Sequence, residues 1–150
     1  MSTITQPDYR VRTAVPLSAL VVAIAAGAVN ALIALGASAL GAETVGGLQP
    51  IAYISFTIVA AIAGAVGWHI INRRAGRPAK VMHWLAPTFL VVSFIPDIVV
   101  GVTMGWLMAG ALALMHVATI TIAVLTYRRF MPLRSGSAEP VVSAGSERVR

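Results

Sequence analysis

Residues 14–42 read AVPLSALVVAIAAGAVNALIALGASALGA and contain no charged side chain. Two further uncharged stretches cover residues 44–72 and residues 101–127. A helix needs roughly 20 apolar residues to cross about 30 Å of hydrocarbon, because it rises about 1.5 Å per residue. Each stretch is longer than that. These stretches therefore predict membrane-spanning helices, and they decide the fold class.

The composition agrees with a membrane protein. The 150-residue chain is 58% hydrophobic and 11% charged, whereas a soluble protein carries about 25% charged residues. It has no cysteine, which excludes disulfides, thiolate metal sites and thiol redox chemistry. The net charge of +6 comes from basic residues beside the hydrophobic stretches, without the aromatic interleaving of a nucleic-acid surface. The lipid bilayer is therefore the predicted partner, and nucleic acid is not.

The predicted fold class is all-α, an integral membrane four-helix bundle in a single domain at residues 14–130. Two helices of about 20 residues and a tight turn fit between Val81 and Tyr127. We expect that turn between Pro96 and Gly105. The predicted spans cover about residues 15–35, 50–72, 81–100 and 105–127. Residues 1–13 form a polar arm, and residues 131–150, rich in Ser, Gly, Pro and charge, form a disordered tail.

The basic residues predict the orientation. If there are four spans, all eleven lysines and arginines lie on one side, and the two opposite loops contain none. The positive-inside rule then places both termini in the cytoplasm and the protein in the inner membrane as a multi-pass protein. The cations that we expect at the cytoplasmic interface are Arg73, Arg74, Arg77, Lys80, Arg128 and Arg129.

A competing interpretation concerns the first span. Two arginines, an apolar run and the tripeptide Ala37-Ser38-Ala39 resemble a secretory signal peptide with an A-x-A cleavage site. The apolar run is about 20 residues long, however, and signal peptides usually have 7–15. We therefore expect an uncut first helix.

Five polar residues within the spans are candidate functional residues. Most of them lie about 17–24 Å from the basic side, counted at about 1.5 Å per residue. Because these depths are similar, we expect one polar cluster in the middle and outer half of the bundle. Its predicted members are Asn30, Thr57, Ser93, Asp97 and His116.

Asp97 and His116 are the ionisable members. A carboxylate at the centre of a membrane helix costs roughly 2.5–3.5 kcal/mol. Asp97 can be an outer helix cap or turn, which the preceding Pro96 favours, a buried structural hydrogen bond, or a substrate or proton site. His116 lies far from both helix ends, so it bonds across helices or serves as a proton relay or ligand. His69 and His83 are predicted interfacial anchors.

Small residues also recur at four-residue spacing, which lets helix backbones approach closely in a membrane. We expect the bundle to use these positions for its internal packing. The series are Ala23, Gly27 and Ala31; Ala60 and Gly64; Ala63 and Gly67; and Gly101, Gly105, Ala109 and Ala113.

The Pro96-Asp97 pair and the run Ala113-Leu114-Met115-His116 resemble a family of small actinobacterial membrane proteins of unknown function. The resemblance covers roughly Val15 to Pro132. It implies four helices in an actinobacterial cell membrane, and it implies no activity.

The sequence predicts a non-enzymatic accessory or structural membrane component. It contains no metal-ligand cluster, phosphate-binding loop or nucleophile elbow, so no metal site and no cofactor are predicted. A second copy of the chain or another membrane protein is the expected protein partner. The alternative is a small transporter or proton-coupled permease that uses Asp97 and His116, with Asn30 lining the path.

Overall fold

The computed structural model describes residues 9–134, which form four α-helices and contain no β-strand. All four helices are long and apolar enough to cross a membrane. The predicted all-α fold class with four membrane-length helices is therefore confirmed. The helices are α1 (Tyr9–Ala39), α2 (Pro50–Arg74), α3 (Pro78–Met104) and α4 (Trp106–Phe130), and a short 3₁₀ helix covers Gly46–Leu48.

Proline and glycine determine where the helices begin and end. Pro50 and Pro78 occupy the first turns of α2 and α3, where a missing N–H costs no intrahelical hydrogen bond. Gly105 alone separates α3 from α4, at φ +107° and ψ +146°. Residues other than glycine rarely adopt that conformation. The chain therefore reverses direction at a single residue.

The turn lies at the last residue of the range predicted for it, because α3 continues through Pro96 and Asp97 to Met104. A proline within a helix removes one backbone hydrogen bond. A turn near Pro96 would instead expose several unpaired backbone groups to hydrocarbon. Continuing the helix through Pro96 therefore costs less free energy than a turn at that position.

The structure describes only part of each predicted end segment. Residues 9–13, assigned to a polar arm, are already helical, and residues 131–134, assigned to a disordered tail, pack against α2. Residues 1–8 and 135–150 lie outside the described part of the chain.

The helices are arranged in the order α2, α1, α4, α3. Helix α1 packs along both α2 and α4, and α3 packs mainly along α4. Helix α3 is the outermost. Only 11% of its most apolar 18-residue stretch is buried inside the bundle, against 22–28% in the other three helices. One side of α3 is consequently left for lipid or for another protein.

Two apolar clusters hold the bundle together. The first lies toward the end that contains the α2–α3 loop and the end of α4, and its buried members are Ala19, Val22, Ala26, Ala61, Ala65, Trp68, Met82, Tyr127 and Met131. The second lies toward the opposite end and contains Ala34, Ala37, Leu48, Met108, Ala111 and Met115. We call the first end the basic end and the opposite end the neutral end. Because α1 and α4 both contribute to the two clusters, these two helices form the centre of the bundle.

Hydrogen bonds tie α2 to the end of α4. The Tyr127 hydroxyl donates to the Ala61 carbonyl at 2.6 Å, and the Trp68 Nε1–H donates to the Met131 carbonyl at 2.9 Å. The two rings also contact each other, with centroids 5.8 Å apart. These bonds hold residue 131 in place, which sequence composition alone did not indicate.

Arg134 extends this connection to the last turn of α2. Its Nε and Nη2 donate to the carbonyls of Asn72 and Arg73, at 2.8 and 2.9 Å, and its backbone N–H donates to Asn72 Oδ1 at 3.0 Å. The Asn72 amide in turn donates to the Pro132 carbonyl. A cation is favourable here because the last carbonyls of a helix lack partners and carry partial negative charge.

The small-residue series are used only in part. A Cβ at Gly64 would lie 2.9 Å from the Tyr127 hydroxyl oxygen, so this glycine lets α2 and α4 approach. By contrast, a Cβ at Gly27 or Gly67 would meet no atom within 4 Å. These two positions therefore do not contribute to tight packing inside the bundle.

We expect Gly64→Ala to destabilise the bundle by about 1–3 kcal/mol, because the added methyl group forces Tyr127 away from Ala61 and Trp68. Gly67→Ala is the matched control, one turn further along α2. It should be neutral or stabilising by up to about 1 kcal/mol, since helix propensity favours alanine. Denaturation in mixed micelles followed by circular dichroism measures both. Equal stabilities for the two variants would contradict the close approach at Gly64.

Candidate functional site: the intramembrane polar layer

The polar side chains lie between the two apolar clusters. On α1, Asn30 separates the cluster residues Ala26 and Ala34, and on α4, Thr119 lies between Met115 and Tyr127. We call the buried or half-buried residues that hydrogen-bond between helices at this level the polar layer. They are Asn30, Thr57, Asp97, His116 and Thr119.

Asn30 joins three helices. Its side-chain amide donates to Thr57 Oγ1 on α2 at 2.9 Å and to Thr119 Oγ1 on α4 at 3.1 Å. Thr57 donates its own hydroxyl to the Tyr53 carbonyl at 2.6 Å, which leaves its oxygen free to accept from Asn30. Asn30 is only 2% exposed, and its Oδ1 is buried without a hydrogen-bond partner in residues 9–134. A buried acceptor without a partner costs about 1–3 kcal/mol.

Asp97 and His116 join α3 to α4. The Asp97 Oδ2 atom lies 2.9 Å from His116 Nδ1. With the carboxylate ionised, Nδ1–H is the donor, and the other ring nitrogen stays available for a second partner. The Asp97 side chain is 7% exposed, whereas that of His116 is 38% exposed. The pair therefore shields its carboxylate and presents its imidazole at the edge of the bundle.

Pro96 also changes the hydrogen bonding of the α3 backbone. Pro96 lies within the helix and has no N–H, so the Val92 carbonyl lacks its usual helical donor. Ser93 lies one residue further on, and its hydroxyl donates to the Leu90 carbonyl of its own helix at 2.7 Å. This bond occupies the Ser93 hydroxyl proton within α3.

The predicted single cluster is thus two hydrogen-bonded groups. Asn30 and Thr57 form one, Asp97 and His116 form the other, and Ser93 is bonded within α3. Asp97 forms a buried hydrogen bond and is not a helix cap or turn. The expectation of a cap failed because α3 accommodates Pro96 without ending.

Sequence analysis missed Thr119. It lies three residues after His116 on α4 and contacts Asn30, so both polar groups use the same helix at nearly the same level. The i, i+3 spacing of His116 and Thr119 places them about one turn apart. The sequence therefore contained a signal for Thr119 in its spacing from His116.

The six predicted interfacial cations all lie at the basic end, and each is exposed. His83 is exposed as well, with its ring edge-on to Trp84 at 6.1 Å, and His69 is half-buried. Within residues 9–134, no group of three or more His, Asp or Glu side chains is placed to hold a metal ion.

The comparisons with known proteins identify a family. The sequence profile of a family of unknown function, DUF6069, matches residues 10–132. The chain belongs to this family. The comparisons with curated proteins and with solved structures give no match. Because the DUF6069 description states no source, the predicted actinobacterial origin stays a prediction, as does the role of the Pro96-Asp97 motif.

The limits of the DUF6069 match show which part of the structure the family profile covers. The match includes all four helices from residue 10 onward and ends at residue 132, beyond Met131, whose carbonyl accepts from Trp68. The family unit therefore contains the whole polar layer and the contact between α2 and the end of α4.

We expect Thr119→Val to destabilise the bundle by about 0.6–2 kcal/mol, since one Asn30 N–H then loses its acceptor. Thr121→Val is the control, because Thr121 lies on the exposed side of the same helix; it should change stability little. In an Asn30→Ala background the effect of Thr119→Val should vanish, as a double-mutant cycle shows. Equal effects in both backgrounds would mean that the two side chains are not coupled.

Proposed function

We propose that this DUF6069 protein is a non-enzymatic membrane component that binds another transmembrane helix along the seam between α3 and α4. The partner is a second copy of the chain or a different membrane protein. The observation that carries the proposal is the half-exposed His116 at the edge of the bundle, held by the buried Asp97.

Lipid can cover the apolar residues at this seam but cannot satisfy the polar ring of His116. Acyl chains can solvate the exposed apolar residues of α3, such as Val91, Val92 and Ile95. They offer no hydrogen-bond partner to an imidazole nitrogen. Polar side chains at such a position are typically satisfied by a neighbouring helix. Another helix over this seam would cover the thinly packed α3 and supply a partner for His116.

The same pair supports a second candidate function, proton-coupled transport. Two titratable groups lie 2.9 Å apart within the membrane-length helices, and one of them is accessible. Ionisable residues at such a depth commonly mark ion or substrate pathways. In this case Asp97 and His116 exchange the proton, and Asn30 lines the path.

One set of variants separates the two candidates. If His116 contacts a partner helix, His116→Phe should weaken association by roughly 3- to 30-fold, which corresponds to the loss of an interhelical hydrogen bond of ~0.6–2 kcal/mol. Leu114→Phe, on the exposed side of α4, is the control and should associate normally. Crosslinking in native membranes detects a heterologous partner, and co-purification of two differently tagged copies detects self-association.

A strictly monomeric wild type with no crosslinked partner would disprove the association. The transport candidate instead requires that Asp97→Asn abolish proton flux in proteoliposomes while the bundle stays folded. Wild-type vesicles with the passive proton leak of protein-free vesicles would end that candidate.

We also propose that the basic end faces the cytoplasm of an inner membrane. The support is the charge asymmetry, since the described cations of the bundle lie at one end and the α1–α2 loop carries Glu43 as its one charged residue. The chain has no native cysteine, so single cysteines report orientation directly. A membrane-impermeant maleimide should label Glu43→Cys in intact spheroplasts. It should label Ala79→Cys after permeabilisation only, and the reverse pattern would invert the topology.

A further inference from the structure

The basic end concentrates positive charge on the surface of the bundle. Within residues 9–134 the only acidic residues are Glu43, in the α1–α2 loop at the neutral end, and Asp97, in the polar layer. Neither of these two carboxylates lies at the basic end. Its exposed cations are Arg73, Arg74, Arg77, Lys80, Arg128, Arg129 and Arg134.

The fold brings these cations together from three segments. Only residues 75–77 separate α2 from α3, so the cations that end α2 lie within a few residues of Arg77 and Lys80. Hydrogen bonds to the carbonyls of Asn72 and Arg73 hold the Arg134 guanidinium at the same end of the bundle. Arg128 and Arg129 end the neighbouring α4. An anion that lies among several cations is attracted by each of them.

The position of the patch favours one kind of anion. Trp84 is 68% exposed on α3, one turn after Lys80, so the two side chains share a face of the helix. Exposed tryptophans on membrane helices lie at the level of the lipid headgroups. Lysine and arginine side chains beside an apolar span extend toward the same level. Lipid phosphates are thus the anions within reach of the patch.

We propose that the basic end binds the phosphate headgroups of acidic phospholipids, with Arg77 and Lys80 as the principal contacts. Arg134 itself supplies a further cation at the end of α2. This binding site is separate from the α3–α4 seam, so it stands or falls independently of the proposed partner helix.

The test uses the full chain in nanodiscs and measures lipid preference. Native mass spectrometry should show more phosphatidylglycerol than phosphatidylcholine retained from an equal mixture. The double variant Arg77→Gln/Lys80→Gln should lower the phosphatidylglycerol affinity roughly 10- to 30-fold. The charge-preserving control Arg77→Lys/Lys80→Arg should retain most of it. Both residues lie on the exposed surface, and equal melting temperatures in pure phosphatidylcholine establish that both variants are folded.

Three results would overturn the proposal. One is equal retention of the two lipids by the wild type. Another is an equal loss of affinity in the charge-removing and the charge-preserving variants. The third is binding of a soluble acidic peptide in phosphatidylcholine nanodiscs that phosphatidylglycerol does not compete with, since the patch would then be a protein-binding surface.

Discussion

Hydrocarbon offers no hydrogen bonds, and this constraint governs all four helices of the described chain. It explains why the described backbone between the two membrane surfaces is helical, why α3 continues through Pro96, and why Gly105 alone forms the turn to α4. It acts on side chains too. Asn30, Thr57 and Thr119 bond to one another across three helices, and Asp97 turns inward to His116.

The polar layer also shows how the bundle gains specificity where apolar packing provides little. Alanines make up much of both clusters, so many helix registers would pack about equally well. Interhelical hydrogen bonds from Asn30 and Asp97 are satisfied in only one register. Polar residues thus align α1 with α2 and α4, and α3 with α4. The same pairing leaves the His116 ring at the edge of the bundle, where it can contact a partner.

Much of this was predictable from the sequence, because each conclusion depended on a local pattern. Charge-free stretches indicated the number and approximate limits of the helices, and the isolated polar residues indicated most of the candidate site. The errors came from features that composition does not encode. Residues 131–134 looked disordered by composition, yet Trp68 and Asn72 bind them from a distant helix. Pro96-Asp97 looked like a turn, because sequence rules for proline assume water as the alternative partner for the backbone.

The sequence by itself determined the fold class, the placement of charge at one end and the depth of each polar residue, since hydrophobic length and helical rise follow from residue order alone. Only the tertiary structure decided which polar residues meet. Depth restricts a side chain to a level of the membrane, but not to a direction around its helix. Packing of α1 against both α2 and α4 directed Asn30 to Thr57 and Thr119, and packing of α3 on α4 directed Asp97 to His116.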